Sequence, residues 1–289
     1  CSSDLAGAKS RRQSAIEFYK VEPSNNVMLE SLDFSATWAC NCACVMCGPV
    51  QSSLWAKELG HTPMEKTKFR QNSIVDQINF SALKKIHFNG GEPLLTDDHL
   101  KILSNVTLEN LFVSYNTNGT IYPSDKTIEL WNQAKLVKLF FSIDAIGKPY
   151  EYIRWPAVWD DVKNNVLKLK ETMPGNVMFG FNITAGAYNI LELPDVLTWI
   201  DQNFPTNRQG DKADVNIQIA YNFDPAALTF NVREKILPMI THDSLSRIYN
   251  YLKTAEYKNI NWIQKLDRID QRRSTNWKSV LKISELIDV

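Results

Sequence analysis

Runs of apolar residues alternate with amphipathic stretches from about residue 28 onward. The strand-like runs are Met28–Ala36, Lys85–Asn89, Leu111–Asn116, Val137–Asp144, Val177–Thr184 and Val215–Tyr221. Leu139-Phe140-Phe141 and Val177-Met178-Phe179 are continuous in apolar side chains, the pattern of parallel strands buried on both faces. Between the runs lie helical patterns. Val158, Val162 and Val166 recur every four residues, with Trp159 and Leu169 widening the stripe. Further helix starts are expected at Thr96-Asp97-Asp98, Ser124-Asp125 and Leu193-Pro194-Asp195, where a capping side chain or an early proline suits the unpaired N–H groups of a first turn.

Strand–helix alternation of this kind gives an α/β fold with a parallel sheet and right-handed crossovers. Six repeats fit either a partial (β/α)6 TIM-like barrel or an open doubly wound sheet. Polar pairs at the ends of the apolar runs favour the barrel: Ser114 and Asn116, Ser142 and Asp144, Asn182 and Thr184. Residues i and i+2 of a strand share a face. Each pair can therefore line one interior near the carboxyl ends, where β/α barrels carry their active sites. Three organisational units are expected: a polar lead-in over 1–27 with a helix near Lys9–Tyr19, the barrel over 28–240, and a helical extension over 241–289. In the extension Tyr249, Tyr251, Leu252, Trp262, Ile263, Leu266 and Ile269 are available to close the barrel or meet a partner.

Composition narrows the function classes. The 289 residues carry zero formal net charge, which argues against a nucleic-acid or anionic-membrane partner. No apolar run approaches a bilayer span, and the first residues lack a signal-peptide pattern, so a cytoplasmic protein is expected. Cysteine usage is unusual. Four of the five cysteines fall between Cys40 and Cys47, a clustering that points to metal rather than to a disulfide framework. The chain also opens on Cys1 rather than methionine, as a fragment would.

Cys40, Cys44 and Cys47 form a C-x3-C-x2-C pattern just after the first strand. Soft thiolates select iron–sulfur clusters, zinc or copper(I). A structural zinc site asks for four closed ligands, whereas three thiolates on a four-iron cube leave one iron open for chemistry. A second motif, His87-Phe88-Asn89-Gly90-Gly91-Glu92-Pro93, ends the second run; adjacent glycines permit close backbone approach or positive φ.

The two motifs in this order resemble the signature of the radical S-adenosylmethionine superfamily. The resemblance implies a [4Fe–4S] cluster on Cys40, Cys44 and Cys47, with S-adenosylmethionine chelating the fourth iron and being cleaved reductively to a 5′-deoxyadenosyl radical. It implies that the backbone of Met46 lies near the adenine, and that Gly90, Gly91 and Glu92 receive the methionine amino group. Ser142 and Asp144 followed by Arg154 resemble the Ser-x-Asp…Arg stretch of peptide-modifying members, in which the arginine can pair with the cofactor carboxylate; the other reading of Arg154 is a surface ion pair with Glu151 or Asp161. Asn116, Asn182 and Thr184 are placed for ribose or methionine contacts, or as interior polar groups satisfying one another. Cys42 is read as a buried spacer rather than a ligand. His87 is read as a packed, hydrogen-bonded histidine, and His61, His99 and His242 have no evident partner in the sequence.

Softer features resemble the subgroup with twitch or SPASM-type modules: the opening Cys1 to Arg12, Cys47-Gly48-Pro49, and Tyr150 to Trp159. They imply an auxiliary iron–sulfur site ending at Cys1, a peptide or protein substrate, and an electron donor such as flavodoxin or ferredoxin. The competing function class is a non-catalytic scaffold on the same barrel, stabilised by zinc or an iron–sulfur group.

Overall fold

The computed structural model describes residues 28–35, 38–61, 78–206, 210 and 212–287; the expected lead-in helix, the 1–27 unit and Cys1 lie outside them. Six strands form one parallel sheet in chain order: β1 (Ser31–Ser35), β2 (Lys85–Asn89), β3 (Phe112–Thr117), β4 (Leu136–Ser142), β5 (Val177–Ala185) and β6 (Asp214–Ile219). Helices α1 (Ser53–Glu58), α2 (Asp98–Leu103), α3 (Asp125–Gln133), α4 (Gly147–Ile153), α5 (Trp159–Thr172) and α6 (Leu193–Asn203) lie in the crossovers. Beyond β6 come α7 (Phe230–Ile236), α8 (Ser246–Thr254) and α9 (Trp262–Arg273). This is the partial (β/α)6 barrel, open between β1 and β6 among the described residues.

Two of the three helix-start signals act as expected, whereas Asp97 before α2 makes no side-chain cap bond. Ser124 accepts from the Thr127 amide at the start of α3, and Pro194 sits in the first turn of α6. In α5 the buried stripe is Trp159, Val162, Val166 and Leu169. Val158 departs from it: it precedes the first helical turn and is exposed.

The strands are not buried on both faces throughout. Along β2, β3 and β4 one face is fully packed (Ile86, Phe88, Val113, Tyr115, Val137, Leu139, Phe141), while the other is half-buried or exposed. The packed face meets the helices. Phe88 lies edge-on to His99 of α2, Tyr115 packs on Trp131 of α3, and Phe181 meets Trp199 of α6. The opposite, concave face carries Asp33, His87, Ser114, Asn116, Lys138, Ser142, Asn182 and Asn216, aligned rung by rung by the parallel register. The long apolar runs misled because Phe140 sits on this concave face, next to the cation of Lys138, which is ion-paired to Asp214.

His87 Nδ1 lies 2.8 Å from Ser114 Oγ, as a packed, bonded histidine would. His99 does have a partner: its Nδ1 lies 3.0 Å from the Tyr115 hydroxyl in the interior, and burial lowers its pKa to about 4. His242 Nε2 lies 3.1 Å from Asp201. The tail packs into the main core through Leu252, Trp262, Leu266, Ile269, Trp277, Leu281 and Ile283. No helix among the described residues is long and apolar enough to cross a membrane.

Candidate metal and cofactor site

The loop after β1 carries the four clustered cysteines, none of them in a disulfide. Cys42 and Cys44 are buried; Cys40 and Cys47 are half-buried. The four thiols adjoin one another along the loop and shift each other's titration: Cys42 holds Cys40 and Cys44 below the usual range, while Cys40 and Cys44, with burial, push Cys42 up. Cys42 is 1% exposed, the burial that a spacer would have.

Backbone contacts fix the loop from several sides. The Ala43 amide donates to Trp155 O at 2.7 Å and the Val45 amide to Ile153 O at 2.8 Å, joining the loop to the end of α4. Ser52 Oγ donates to Cys42 O at 2.6 Å, and Trp55 Nε1 to Cys44 O at 2.7 Å. Met46 is half-buried at the turn before Cys47.

The glycine turn after β2 rests directly on this loop. The Glu92 amide donates to Ala39 O at 2.8 Å. Gly90 has φ of 116°, a conformation that favours glycine. A Cβ on Gly91 would fall inside the backbone of Ala39 and Trp38. The two motifs are therefore one contiguous structure.

The Glu92 side chain is wholly buried. Oε1 accepts from the Leu94 amide (3.1 Å) and Thr117 Oγ1 (2.9 Å), and Oε2 from the Asn118 amide (2.7 Å). Burial raises its pKa to about 7 despite these donors. Glu92 braces the ends of β2 and β3 against each other.

Arg154 is buried, so of its two readings the surface ion pair with Glu151 or Asp161 falls away. Nη2 pairs with Asp144 Oδ2 at 2.6 Å, and Nη1 lies 3.7 Å from Cys44 Sγ. Burial pushes the Asp144 carboxyl up, with Arg154 pulling it back. Burial opposes the Arg154 charge too, but Asp144 and Cys44 outweigh it and the guanidinium stays charged. Asp144 Oδ1 accepts from the Thr184 amide at 2.6 Å, so Asp144 and Thr184 tie β4 to β5. Asn116 Oδ1 accepts from Asn182 Nδ2 at 2.8 Å, and Asn182 Oδ1 from Asn216 Nδ2 at 3.1 Å, an amide ladder across the concave face. Ser142 ends β4 on the same face, in register with Asn182.

Sequence reasoning missed several residues here. Asn118 gives its amide to Glu92 and its side-chain Nδ2 to Asn41 Oδ1 (2.8 Å) and Cys42 Sγ (3.4 Å), linking all three loops. Its signal was Thr117-Asn118-Gly119 after a strand, a turn with a side chain suited to bonding nearby backbone. Tyr188, fully buried with an unpartnered hydroxyl, and Arg273 gave no signal at all.

No family model matches the chain. It is 27% identical over 177 residues to the probable GTP 3′,8-cyclase of Methanocaldococcus jannaschii, covering 58% of this chain and 54% of that protein. It is 31% identical over 121 residues to the GTP 3′,8-cyclase of Actinobacillus pleuropneumoniae serotype 7, covering 40% and 33%. The chain thus spans between a third and about half of the length of these curated relatives. Among solved structures, Streptococcus suis SuiB bound to S-adenosylmethionine superimposes with a TM-score of 0.45 at 12% identity, over 86% of this chain and 52% of that one.

The donor set fits the cluster of radical S-adenosylmethionine proteins. Three soft thiols stand on one loop, although the described residues hold no group of three ligands set for a single metal ion, and a buried guanidinium beside Cys44 favours thiolate over thiol.

Proposed function

We propose that this chain is a radical S-adenosylmethionine enzyme in which Cys40, Cys44 and Cys47 hold a [4Fe–4S] cluster with S-adenosylmethionine beside it. When bound, these groups supply one-electron cleavage of a sulfonium C–S bond, giving methionine and a 5′-deoxyadenosyl radical that abstracts hydrogen from substrate. The observation that carries the reading is the seating of the Gly90-Gly91 turn on the cysteine loop at the carboxyl end of the sheet.

The chain's own residues bind, orient and neutralise. Arg154 places a fixed cation against the cysteine loop, where it offsets the negative charge of ligating thiolates. With Asp144 committed to Arg154 and Thr184, and Glu92 to the β3 end, neither acidic side chain is spare for a cofactor ammonium. That contact falls to backbone of the Gly90–Glu92 turn, which glycine leaves bare. Ser142, Asn116, Asn182 and Thr184 supply polar groups along the concave face for the sugar and methionine portions. Met46, in the turn before Cys47, would face the adenine. The peptide or protein substrate, the auxiliary cluster ending at Cys1, and reduction by a flavodoxin or ferredoxin rest on the subgroup resemblance of Cys47-Gly48-Pro49 and the Tyr150–Trp159 run.

The test is anaerobic reconstitution with iron and sulfide, then incubation with S-adenosylmethionine and a strong reductant. Iron and sulfide in equal amount, with 5′-deoxyadenosine formed by the wild type and not by Cys44→Ala, are expected. One zinc per chain without sulfide, or undiminished product from Cys44→Ala, overturns the proposal in favour of a metal-stabilised scaffold.

A further inference from the structure

The cysteine loop is gripped from the far end of the chain. Arg273, the last residue of α9, has a side chain only 2% exposed. Its Nε donates to Glu58 Oε1 and Oε2 at 3.2 and 3.1 Å, and Nη2 donates to Glu58 Oε2 at 3.0 Å. Nη2 also donates to the Ala43 carbonyl at 2.7 Å. The guanidinium carbon lies 4.6 Å from the Trp55 ring centre and 4.8 Å from that of Trp155, placing the cation against two indoles. Each of these partners holds the loop independently: Trp55 through Cys44 O, Trp155 through the Ala43 amide. Glu58 belongs to α1, which follows the loop directly.

Only an arginine does all of this with one group. The planar fork serves a carboxylate and a carbonyl together while its faces stack on rings; a lysine offers a point charge without that plane. Stability alone is a weak reason for such a group, because buried ion pairs seldom outperform apolar packing of the same volume. The carbonyl it grips opens the peptide bond to Cys44, so its position fixes how that sulfur leaves the loop.

We infer that Arg273 is a positioning residue for the metal-binding loop, and that α9 is thereby a working part of the metal site rather than a separate extension. The inference rests on the cluster reading above. Outer groups that orient metal ligands alter metal retention by about 10- to 100-fold when removed.

The experiment compares wild type, Arg273→Lys, Arg273→Met and Leu266→Ala, all reconstituted anaerobically. Leu266 is a buried core residue of the same helix and has no bond to the loop. Iron release to a chelator, the electron paramagnetic resonance spectrum of the reduced protein, and thermal unfolding of the metal-free protein are recorded for each. Both Arg273 variants are expected to release iron about 10-fold faster or more, with an altered resonance signal. Leu266→Ala, although less stable, keeps the wild-type rate and spectrum. Arg273→Lys, which retains the charge opposite Glu58, decides the matter if the methionine variant does not fold. Iron release from Arg273→Lys at the wild-type rate, or no faster than from Leu266→Ala, overturns the inference. Wild type that takes up no iron and sulfide overturns the cluster reading itself, a distinct result.

Discussion

Arg154 Nη1 lies 3.7 Å from the Cys44 sulfur while its other arm is paired with Asp144 at 2.6 Å. Both members of the ion pair are almost inaccessible, so neither charge can turn to water when its partner is lost. Removing one side of such a pair costs about 3–5 kcal/mol, because a bare charge is left inside. Asp144→Asn should destabilise the metal-free protein by about that much in urea unfolding. The double variant Asp144→Asn/Arg154→Gln should recover part of the loss. Equal losses in the single and double variants would show that the two groups are not an energetic unit.

Gly91→Ala should be poorly tolerated, because the added carbon meets the backbone of Ala39 and Trp38, which cannot rotate aside as a side chain could. A loss of about 1–3 kcal/mol is expected for such overpacking, together with reduced iron uptake because Ala39 leads directly into Cys40. Gly175→Ala is the control: nothing lies within 4 Å of its Cβ position. Thermal unfolding and iron content of the two variants give the comparison; matching values would remove the stacked-loop account.

The sheet was legible in the sequence because each strand is a short apolar run bounded by polar or turn residues. Lys85–Asn89 begins and ends where expected, and Val177–Thr184 falls one residue short of the observed end. The half-open concave face was less legible. A run such as Leu139-Phe140-Phe141 reads as buried throughout, although Phe140 faces the concavity and only its neighbours are packed. At the site, local spacing singled out Cys40, Cys44 and Cys47 as candidates. Arg154 was recognised as a candidate without its depth, since burial is a property of the assembled fold. Arg273 could not be found at all, because its contact with Ala43 spans 230 positions and leaves no local pattern.

Glu192 provides a pH test away from the cysteines. It is 2% exposed; Oε1 accepts from the Lys282 amide at 2.7 Å and Oε2 has no partner. Burial raises its pKa from 4.5 to about 7. The folded chain therefore keeps a proton that the unfolded chain releases, and stability from this group is full below pH 4.5 and declines as pH rises toward 7. The slope is about 1.4 kcal/mol per pH unit. His99, lowered to about 4, acts with the opposite sign over part of this range, so total stability is not the readout. Glu192→Gln, which imitates the protonated group, should gain on the wild type by about 1–3 kcal/mol between pH 5 and about 7.5 in urea unfolding. A constant difference across that range would contradict the buried, unpaired carboxyl.

Cys42→Ala should keep iron and sulfide at the wild-type ratio, whereas Cys44→Ala loses them. Cys42 is packed, and its sulfur lies 4.0 Å from Asn41 Oδ1 and 3.4 Å from Asn118 Nδ2. Colorimetric iron and acid-labile sulfide analysis separates the two variants. Equal loss in both would make Cys42 a ligand and reassign the set of three.

The reach from Arg273 back to Ala43 also orders events in time. At roughly 5–20 residues per second of synthesis, the residue that grips Ala43 is made roughly 10–50 s after the cysteines themselves. During that interval the thiols are already out of the ribosome, or close to it, without the group that sets their direction. A cell producing this chain has reason to deliver iron and sulfide after the last helix has docked, and to keep the nascent cysteines reduced until then.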